Sequence, residues 1–273
     1  FYVGAARASQ LHIPPTTALT CTWGGPQADV NQRFLMGCGT TAKTVYEVPL
    51  RMEESGIGDY ICKRLGVSCR KPDLSNWQKL VDTIMSDMPS VRIGIVAKYL
   101  DHEDTYLSVV EALRAAAWDS GRKLEYEWID AEKLTQNTKP LEKVDGILVP
   151  GGFGQRGVEG KIVAAQFARE HTVPYLGICL GLQVAVIEFA RNVAGLGDAH
   201  STEFNQETSA PVVHIMPEQI GVQLGGSMRL GDYDTSLASG SIAEKLYGTS
   251  EITERHRHRF EVNNDYRDLL ERK

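Results

Sequence analysis

One cysteine, Cys179, lies between two glycines, Gly177 and Gly181, each two positions away. An apolar run over 173–178 precedes it, and a segment with helical apolar periodicity follows it directly. This order is typical of a nucleophile elbow, a sharp strand-to-helix turn whose glycines remove clashing Cβ atoms. A thiol at a helix N-terminus also gains thiolate character from the helix dipole. The pattern predicts a nucleophilic thiol; the alternative is an ordinary buried cysteine.

A nucleophilic thiol needs hydrogen-bond donors for the oxyanion that forms when it attacks a carbonyl group. The backbone N–H of Leu180 follows Cys179 directly, and Gly152 lies in a glycine-rich loop, Gly151–Gly154, after the apolar run 144–150. Because the carboxyl ends of parallel strands meet at one edge of a sheet, we expect this glycine loop and Cys179 to face one crevice. Gly152 and Leu180 are therefore the predicted oxyanion-hole donors; a plain strand-to-helix turn is the alternative for the loop.

A thiolate nucleophile also needs a base or a cationic partner, which is usually histidine. The chain has seven histidines, and the sequence marks none of them as that partner. His256 and His258 lie in an alternating basic run over 255–259, a pattern typical of a solvated or phosphate-facing edge strand. The general base therefore stays unassigned.

Charge and composition restrict the function classes. The net charge of −6 argues against a nucleic-acid partner. No apolar segment approaches the roughly 20 residues of a membrane span, and no signal-peptide pattern is present, so we expect a cytoplasmic protein without a membrane partner. Five cysteines without a secretory signal predict reduced thiols. Cys62 and Cys69 have no further ligands at zinc-site spacing, so we expect no metal site.

The elements that must position this chemistry follow from the apolar patterns. From residue 91 onward, strand and helix patterns alternate, which predicts an α/β fold with a mostly parallel central sheet flanked by helices. Strands are predicted over 91–97, 124–129, 144–150, 173–178 and 211–216, and helices over 105–118, 161–170, 184–193, 242–247 and 266–273. Before residue 91 we expect a short strand or extended segment over 45–50, a helix over 51–65 and a second helix that begins near Asp73 or Ser75.

Several motifs resemble, in order and spacing, the class I glutamine amidotransferase domain of the CTP synthase family. They are Pro150–Gly154, Gly157–Lys161, Tyr175–Gln183, Ser201–Phe204 and Glu254–Asn263. The turn around Cys179 alone indicates class I amidotransferases, and the last two motifs narrow the resemblance to CTP synthases. Two upstream segments, 46–50 and 59–64, resemble the end of the family's amidoligase domain.

The resemblance implies a flavodoxin-like, three-layer amidotransferase fold and a division of the chain into four parts. Residues 1–40 are unassigned, 41–70 are a tail of the amidoligase domain, 71–90 are a linker, and 91–273 are the glutamine amidotransferase domain. The family's His-Pro-Glu motif, which carries the catalytic histidine and glutamate, does not occur before Lys273. We therefore expect the amidotransferase domain to be incomplete at its C-terminal side.

The resemblance also implies a reaction, the hydrolysis of L-glutamine to glutamate and ammonia through a glutamyl thioester on Cys179. The ammonia would serve the ATP-dependent amination of UTP to CTP. Glu203 would pair with the α-ammonium group of glutamine and Arg259 with its α-carboxylate, which arginine binds in bidentate fashion. The implied glutamine-binding residues are Gly152, Phe153, Leu180, Gln183, Glu203, Arg259 and Phe260.

Further partners follow from the same resemblance. ATP and Mg²⁺ belong to the amidoligase domain, the full-length enzyme is expected to be a homotetramer, and this domain itself needs no cofactor. GTP is expected to be an allosteric activator, and Arg156 and Arg229 are candidates for its region. Two alternatives stay open: a catalytically incomplete fragment that binds glutamine or serves in assembly, and another class I amidotransferase or cysteine-elbow hydrolase.

Overall fold

The computed structural model describes residues 42–98, 100, 103–215 and 229–273. The chain divides into two compact units, the first ending at Met88 and the second beginning at Pro89. The unassigned segment 1–40 lies outside the described residues. None of the helices in the described part of the chain combines the length and apolar composition that crossing a bilayer requires.

The described part of the first unit is helical. A 3₁₀ turn over Val45–Glu47 leads into α1 (Val48–Glu54), followed by α2 (Ile57–Leu65) and α3 (Ser75–Met85). The strand predicted over 45–50 is therefore wrong: Pro49 lies in the first turn of α1, where its missing N–H breaks no intrahelical hydrogen bond. The helix predicted over 51–65 is present but interrupted at Gly56, whose φ of 72° favours glycine. Helix α3 lies within the segment 71–90, which we predict as a linker.

A chain reversal after α2 brings two cysteines together. The N–H of Val67 donates to the carbonyl of Cys62 at 3.1 Å, and the N–H of Gly66 donates to that of Lys63 at 3.4 Å. These two bonds form a Schellman motif that turns the chain back. The Cα atoms of Cys62 and Cys69 are then 6.1 Å apart, and the two residues form a disulfide. The prediction of reduced thiols is wrong for this pair, while Cys179 is a free cysteine.

The second unit is built on a parallel sheet of four strands in the order β2-β1-β3-β4. The strands are β1 (Ser90–Ala97), β2 (Lys123–Asp130), β3 (Gly146–Val149) and β4 (Tyr175–Gly177), and the helices that follow them are α4 (Leu107–Asp119), α5 (Val158–His171) and α6 (Leu180–Asn192). The predicted mostly parallel sheet flanked by helices is confirmed.

Alternate residues of the central strands face two separate clusters of core side chains. Val96, Ile147 and Val149 pack with residues of α5 and α6. Ile95, Ala97 and Leu148 belong to the other cluster, with side chains of α4. Because both faces of β3 are covered, all four of its residues are buried. The three layers of the predicted fold are thus helices, sheet and helices.

The remaining elements extend this unit beyond α6. Strands β5 (Ala199–Ser201) and β6 (Ala210–Ile215) are parallel, β7 (Arg229–Ser236) and β8 (Glu251–His258) form an antiparallel pair, and α7 (Ile242–Tyr247) lies between them in sequence. Strand β9 (Phe260–Val262) pairs antiparallel with β6, and α8 (Asn264–Glu271) follows.

The buried face of α6 provides a stability test. Ile187 is 0 % exposed within the core cluster, so Ile187→Ala leaves a cavity and is expected to lower the free energy of unfolding by about 2–5 kcal/mol. Leu107→Ala, at a helical position that is 53 % exposed, is the control and is expected to change it by less than about 0.5 kcal/mol. Urea denaturation measures both values; equal losses for the two variants would contradict the assigned core.

Candidate active site

The predicted elbow is a strand–turn–helix in the structure. Cys179 lies between β4 and α6 as the N-cap residue of α6, with φ 56° and ψ −109°. This backbone conformation is rare for a residue with a Cβ and is held only where the surroundings impose it. We call Gly177–Gly181 the elbow.

Both elbow glycines are required by close backbone contacts. A Cβ on Gly177 would lie 2.4 Å from the backbone of Gly181, and a Cβ on Gly181 would lie 2.0 Å from the carbonyl oxygen of Val149. The N–H of Ile178 donates to the same Val149 oxygen at 2.9 Å, and the Tyr175 hydroxyl donates to the Gly181 carbonyl at 2.7 Å. The turn is therefore fastened to the end of β3, the most completely buried strand.

Two backbone N–H groups act on the Cys179 thiol. These are the N–H groups of Leu180 and Gly152, the two predicted oxyanion donors, and both act to lower the pKa of the thiol. Burial is nevertheless the largest influence, and together with the negative charge of Glu203 it raises the pKa of Cys179 above its ordinary value. The ammonium of Lys161 acts in the lowering direction. Without a substrate bound, the resting sulfur is thus held toward the thiol form.

The glycine loop lies directly over the cysteine. A Cβ on Gly151 would be 3.3 Å from the Cβ of Cys179 and 3.8 Å from its sulfur. Further along the loop, the N–H of Gly154 donates to Oε1 of Glu203 at 3.1 Å, and the ammonium of Lys98 donates to the carbonyl of Phe153. Burial raises the pKa of Glu203, whereas the Gly154 N–H and the charge of Lys98 lower it. The loop is therefore held between an acidic and a basic side chain.

A side-chain hydrogen bond connects α6 to β9. The side-chain amide of Gln183, one turn into α6, donates to the carbonyl of Phe260 at 2.9 Å and is itself buried. Arg259 immediately precedes Phe260 and is half-buried. The structure therefore brings Cys179, Gly152, Leu180 and Glu203 together and connects Phe260 to the same helix.

The structure gives the following for Phe153, Arg156 and Arg229. The side chain of Phe153 is 53 % exposed. Arg156 forms an ion pair with Glu132 at 2.8 Å and donates to the carbonyl of Lys98 at 3.2 Å. Arg229 begins β7, and its side chain lies outside the described part of the structure.

Three described histidines have hydrogen-bond partners away from Cys179. Nδ1 of His171 contacts the carbonyl of Phe167 at 3.0 Å, and Nδ1 of His214 contacts that of Ile215 at 2.8 Å. Nδ1 of His200 accepts a hydrogen bond from its neighbour's backbone N–H at 2.9 Å. The general base stays unassigned in the described residues.

Sequence reasoning missed one charged residue beside the glycine loop, Lys161 of α5. Its side chain is completely buried, and its Nζ has no hydrogen-bond partner among the described residues. Burial, and next the charge of Lys98, lower the pKa of Lys161 to about 8. A sequence signal existed, because Lys161 stands among small and apolar residues of a helix that is buried along most of its length. The resemblance includes this lysine in a motif but assigns it no role.

The glutamine amidotransferase class-I family model matches residues 102–272. A CTP synthase from Carboxydothermus hydrogenoformans is 53 % identical over 232 residues, which cover 84 % of this chain and 43 % of that protein. A CTP synthase from Methanosarcina acetivorans is 49 % identical over 247 residues, covering 89 % and 46 %. The chain therefore spans less than half the length of these curated relatives.

A solved structure gives a consistent result. The glutaminase domain of Trypanosoma brucei CTPS, with bound acivicin, is similar with a TM-score of 0.62 and 43 % sequence identity. The similarity covers 67 % of this chain and 72 % of that one. The sequence relatives and the structural neighbour thus agree on one family.

The close backbone contact of Gly181 predicts the effect of adding one methyl group to this residue. Gly181→Ala places its Cβ 2.0 Å from the Val149 carbonyl oxygen, so the turn must move, and we expect a loss of about 1–3 kcal/mol or more in unfolding free energy. Iodoacetamide alkylation of Cys179 is expected to slow in the same variant. The matched control is Gly197→Ala, because a Cβ there meets no atom within 4 Å. A Gly181→Ala variant that melts and reacts like this control would contradict the assigned contact.

Proposed function

The chain belongs to the class-I glutamine amidotransferase family, and from this membership we propose that it hydrolyses L-glutamine to glutamate and ammonia through a glutamyl thioester on Cys179. The observation that carries the proposal is a strained elbow cysteine against the Gly151–Gly152 backbone, where the N–H groups of Leu180 and Gly152 both lower the pKa of its thiol. A nucleophile with two fixed donors beside it is the arrangement that acyl transfer requires.

The proposed reaction has two halves. The thiolate adds to the side-chain amide carbon of glutamine, and the resulting oxyanion accepts hydrogen bonds from the Leu180 and Gly152 N–H groups. When this intermediate collapses, the carbon–nitrogen bond breaks, the nitrogen takes up a proton and leaves as ammonia, and the glutamyl group stays on sulfur. Water then attacks the thioester, releases glutamate and restores the thiol.

Recognition of a free amino acid needs an anion and a cation at a fixed separation. Glu203 is proposed to bind the α-ammonium group, since its carboxylate already lies against the glycine loop through the Gly154 N–H. Arg259 is proposed to bind the α-carboxylate. Its neighbour Phe260 is bonded to Gln183 of the elbow helix, which supports a position of Arg259 near the substrate. Gln183 and Phe153 are proposed to contact the rest of the substrate.

For the whole protein, the relatives named CTP synthase support a larger proposal. The ammonia is proposed to pass to an amidoligase domain, where ATP and Mg²⁺ serve the amination of UTP to CTP in a homotetrameric enzyme. No residue of this chain is assigned to ATP or Mg²⁺. GTP is proposed to activate glutamine hydrolysis, with Arg156 and Arg229 as candidate contacts.

One observation favours a second candidate function, a unit that binds glutamine without turning it over. Burial raises the pKa of Cys179, and three of the described histidines, His171, His200 and His214, have hydrogen-bond partners elsewhere. Ammonia release measured beside glutamine binding separates the two functions, because only the hydrolase produces ammonia from bound glutamine.

A covalent probe tests the nucleophile. An electrophilic analogue of glutamine, such as a chloroketone, is expected to add once to the chain, at the peptide that contains Cys179. Cys62 and Cys69 are joined to each other and offer no thiol. Cys21 and Cys38 are replaced by serine in the test chain, and Cys179→Ala in that background is expected to remain unlabelled. Intact-mass and peptide mass spectrometry measure this outcome. An equal adduct on the Cys179→Ala variant, or no adduct on the chain that keeps Cys179, would contradict the proposed nucleophilic role of Cys179.

The proposed α-ammonium contact has its own test. Glu203→Gln keeps the shape but removes the charge, so the dissociation constant of glutamine is expected to rise about 10–100-fold, as for one charged hydrogen bond. Alkylation of Cys179 is expected not to slow, because Glu203 raises the pKa of the thiol. Glu207→Gln, an exposed carboxylate in the same loop, serves as the control. Isothermal titration calorimetry with unchanged affinity in Glu203→Gln would exclude the contact.

A further inference from the structure

A buried lysine with an unpartnered ammonium needs a physical explanation. Lys161 is 0 % exposed, and its Nζ has no hydrogen-bond partner in the described structure. Burial of a charged group without a partner costs several kcal/mol, so such residues are rare unless another charge compensates them. The nucleophile mechanism proposed above assigns Lys161 no step.

The position of the ammonium is defined by the glycine loop. A Cβ on Gly152 would lie 3.6 Å from Nζ of Lys161 and 3.6 Å from Cδ2 of Leu180. The ammonium therefore lies beside Gly152, one of the two predicted oxyanion donors. Cys179 lies against Gly151, the residue before Gly152. A Cβ on Gly151 would be 3.8 Å from the Cys179 sulfur.

The charged groups around this loop come from three further elements. Lys98 lies directly after β1, Glu203 lies in the turn after β5, and Cys179 lies in the elbow. Lys98 donates to the Phe153 carbonyl and interacts with Glu203, so its charge already has partners. The interaction of Lys161 with Cys179 is mutual: the ammonium lowers the pKa of the thiol, and the thiolate raises that of the ammonium. Among these groups, the thiolate of Cys179 is the anion that compensates the positive charge of Lys161.

We propose that Lys161 is a positioning residue whose buried ammonium, beside Gly152, stabilises the thiolate of Cys179. This inference rests on the proposed nucleophilic role of Cys179. The S–H proton leaves to solvent and Lys161 keeps its own proton, so the thiolate and the ammonium form a compensated pair. Because the pKa of Lys161 is lowered to about 8, the ammonium is present below that pH and is lost above it.

The test compares charged and neutral side chains at one position in the full chain. Lys161→Met keeps the volume and removes the charge, while Lys161→Arg keeps the charge. Iodoacetamide alkylation of Cys179 is followed by peptide mass spectrometry between about pH 6 and pH 10. For Lys161→Met we expect alkylation at pH 7 to be about tenfold slower, because the ammonium is present at that pH, and we expect the two rates to converge above about pH 8, where the unsubstituted chain loses that charge. Lys161→Arg is expected to restore the rate at pH 7 toward that of the unsubstituted chain.

The control is Lys133→Met, which removes the same charge from a side chain that is 83 % exposed and is expected to leave the profile unchanged. A Lys161→Met profile that superimposes on the unsubstituted chain overturns the inference and leaves the glutamine chemistry standing. A uniform slowing at every pH also overturns it, because it indicates a displaced elbow rather than a lost charge. A Cys179 that is inert at every pH in the unsubstituted chain overturns both the inference and the proposed function.

Discussion

The candidate site depends on the close approach of two backbones, that of Gly181 at the start of α6 and that of Val149 at the end of β3. Only a hydrogen fits between them, since a Cβ would lie 2.0 Å from the Val149 oxygen, which also accepts the Ile178 N–H. The turn is therefore positioned by the core of the sheet. This attachment lets Cys179 keep a positive φ that costs roughly 1–3 kcal/mol in a free loop.

The same geometry determines the charges around the sulfur. Burial of the elbow disfavours the thiolate of Cys179, and the nearby carboxylate of Glu203 adds to that effect. Two backbone N–H groups and the Lys161 ammonium oppose it. A cationic substrate group on Glu203 would remove one of the disfavouring charges. The proposed substrate contact and the proposed nucleophile are thus electrostatically connected, because binding at Glu203 favours ionisation at Cys179.

The sequence predicted the parts whose signals are local. Buried parallel strands are continuous apolar runs, and the elbow of Cys179 is marked by the spacing of its glycines. The strand predicted over 45–50 is wrong because β-branched residues suggest strand, while the proline in that segment suits a first helical turn equally well. The Cys62–Cys69 disulfide depends on a chain reversal, and the burial of Lys161 on packing between distant segments. The disulfide has no spacing that identifies it in the sequence, and the signal for Lys161 is limited to its position among small and apolar residues.

The central claim is that glutamine hydrolysis passes through a covalent intermediate on Cys179. The most direct measurement is rapid acid quenching of the chain mixed with ¹³C-labelled glutamine, followed by peptide mass spectrometry. Our account predicts a transient labelled glutamyl group on the peptide that contains Cys179, formed before free glutamate accumulates and absent when Cys179 is replaced by alanine. Labelled glutamate that appears with no acylated Cys179 at any quench time would contradict it.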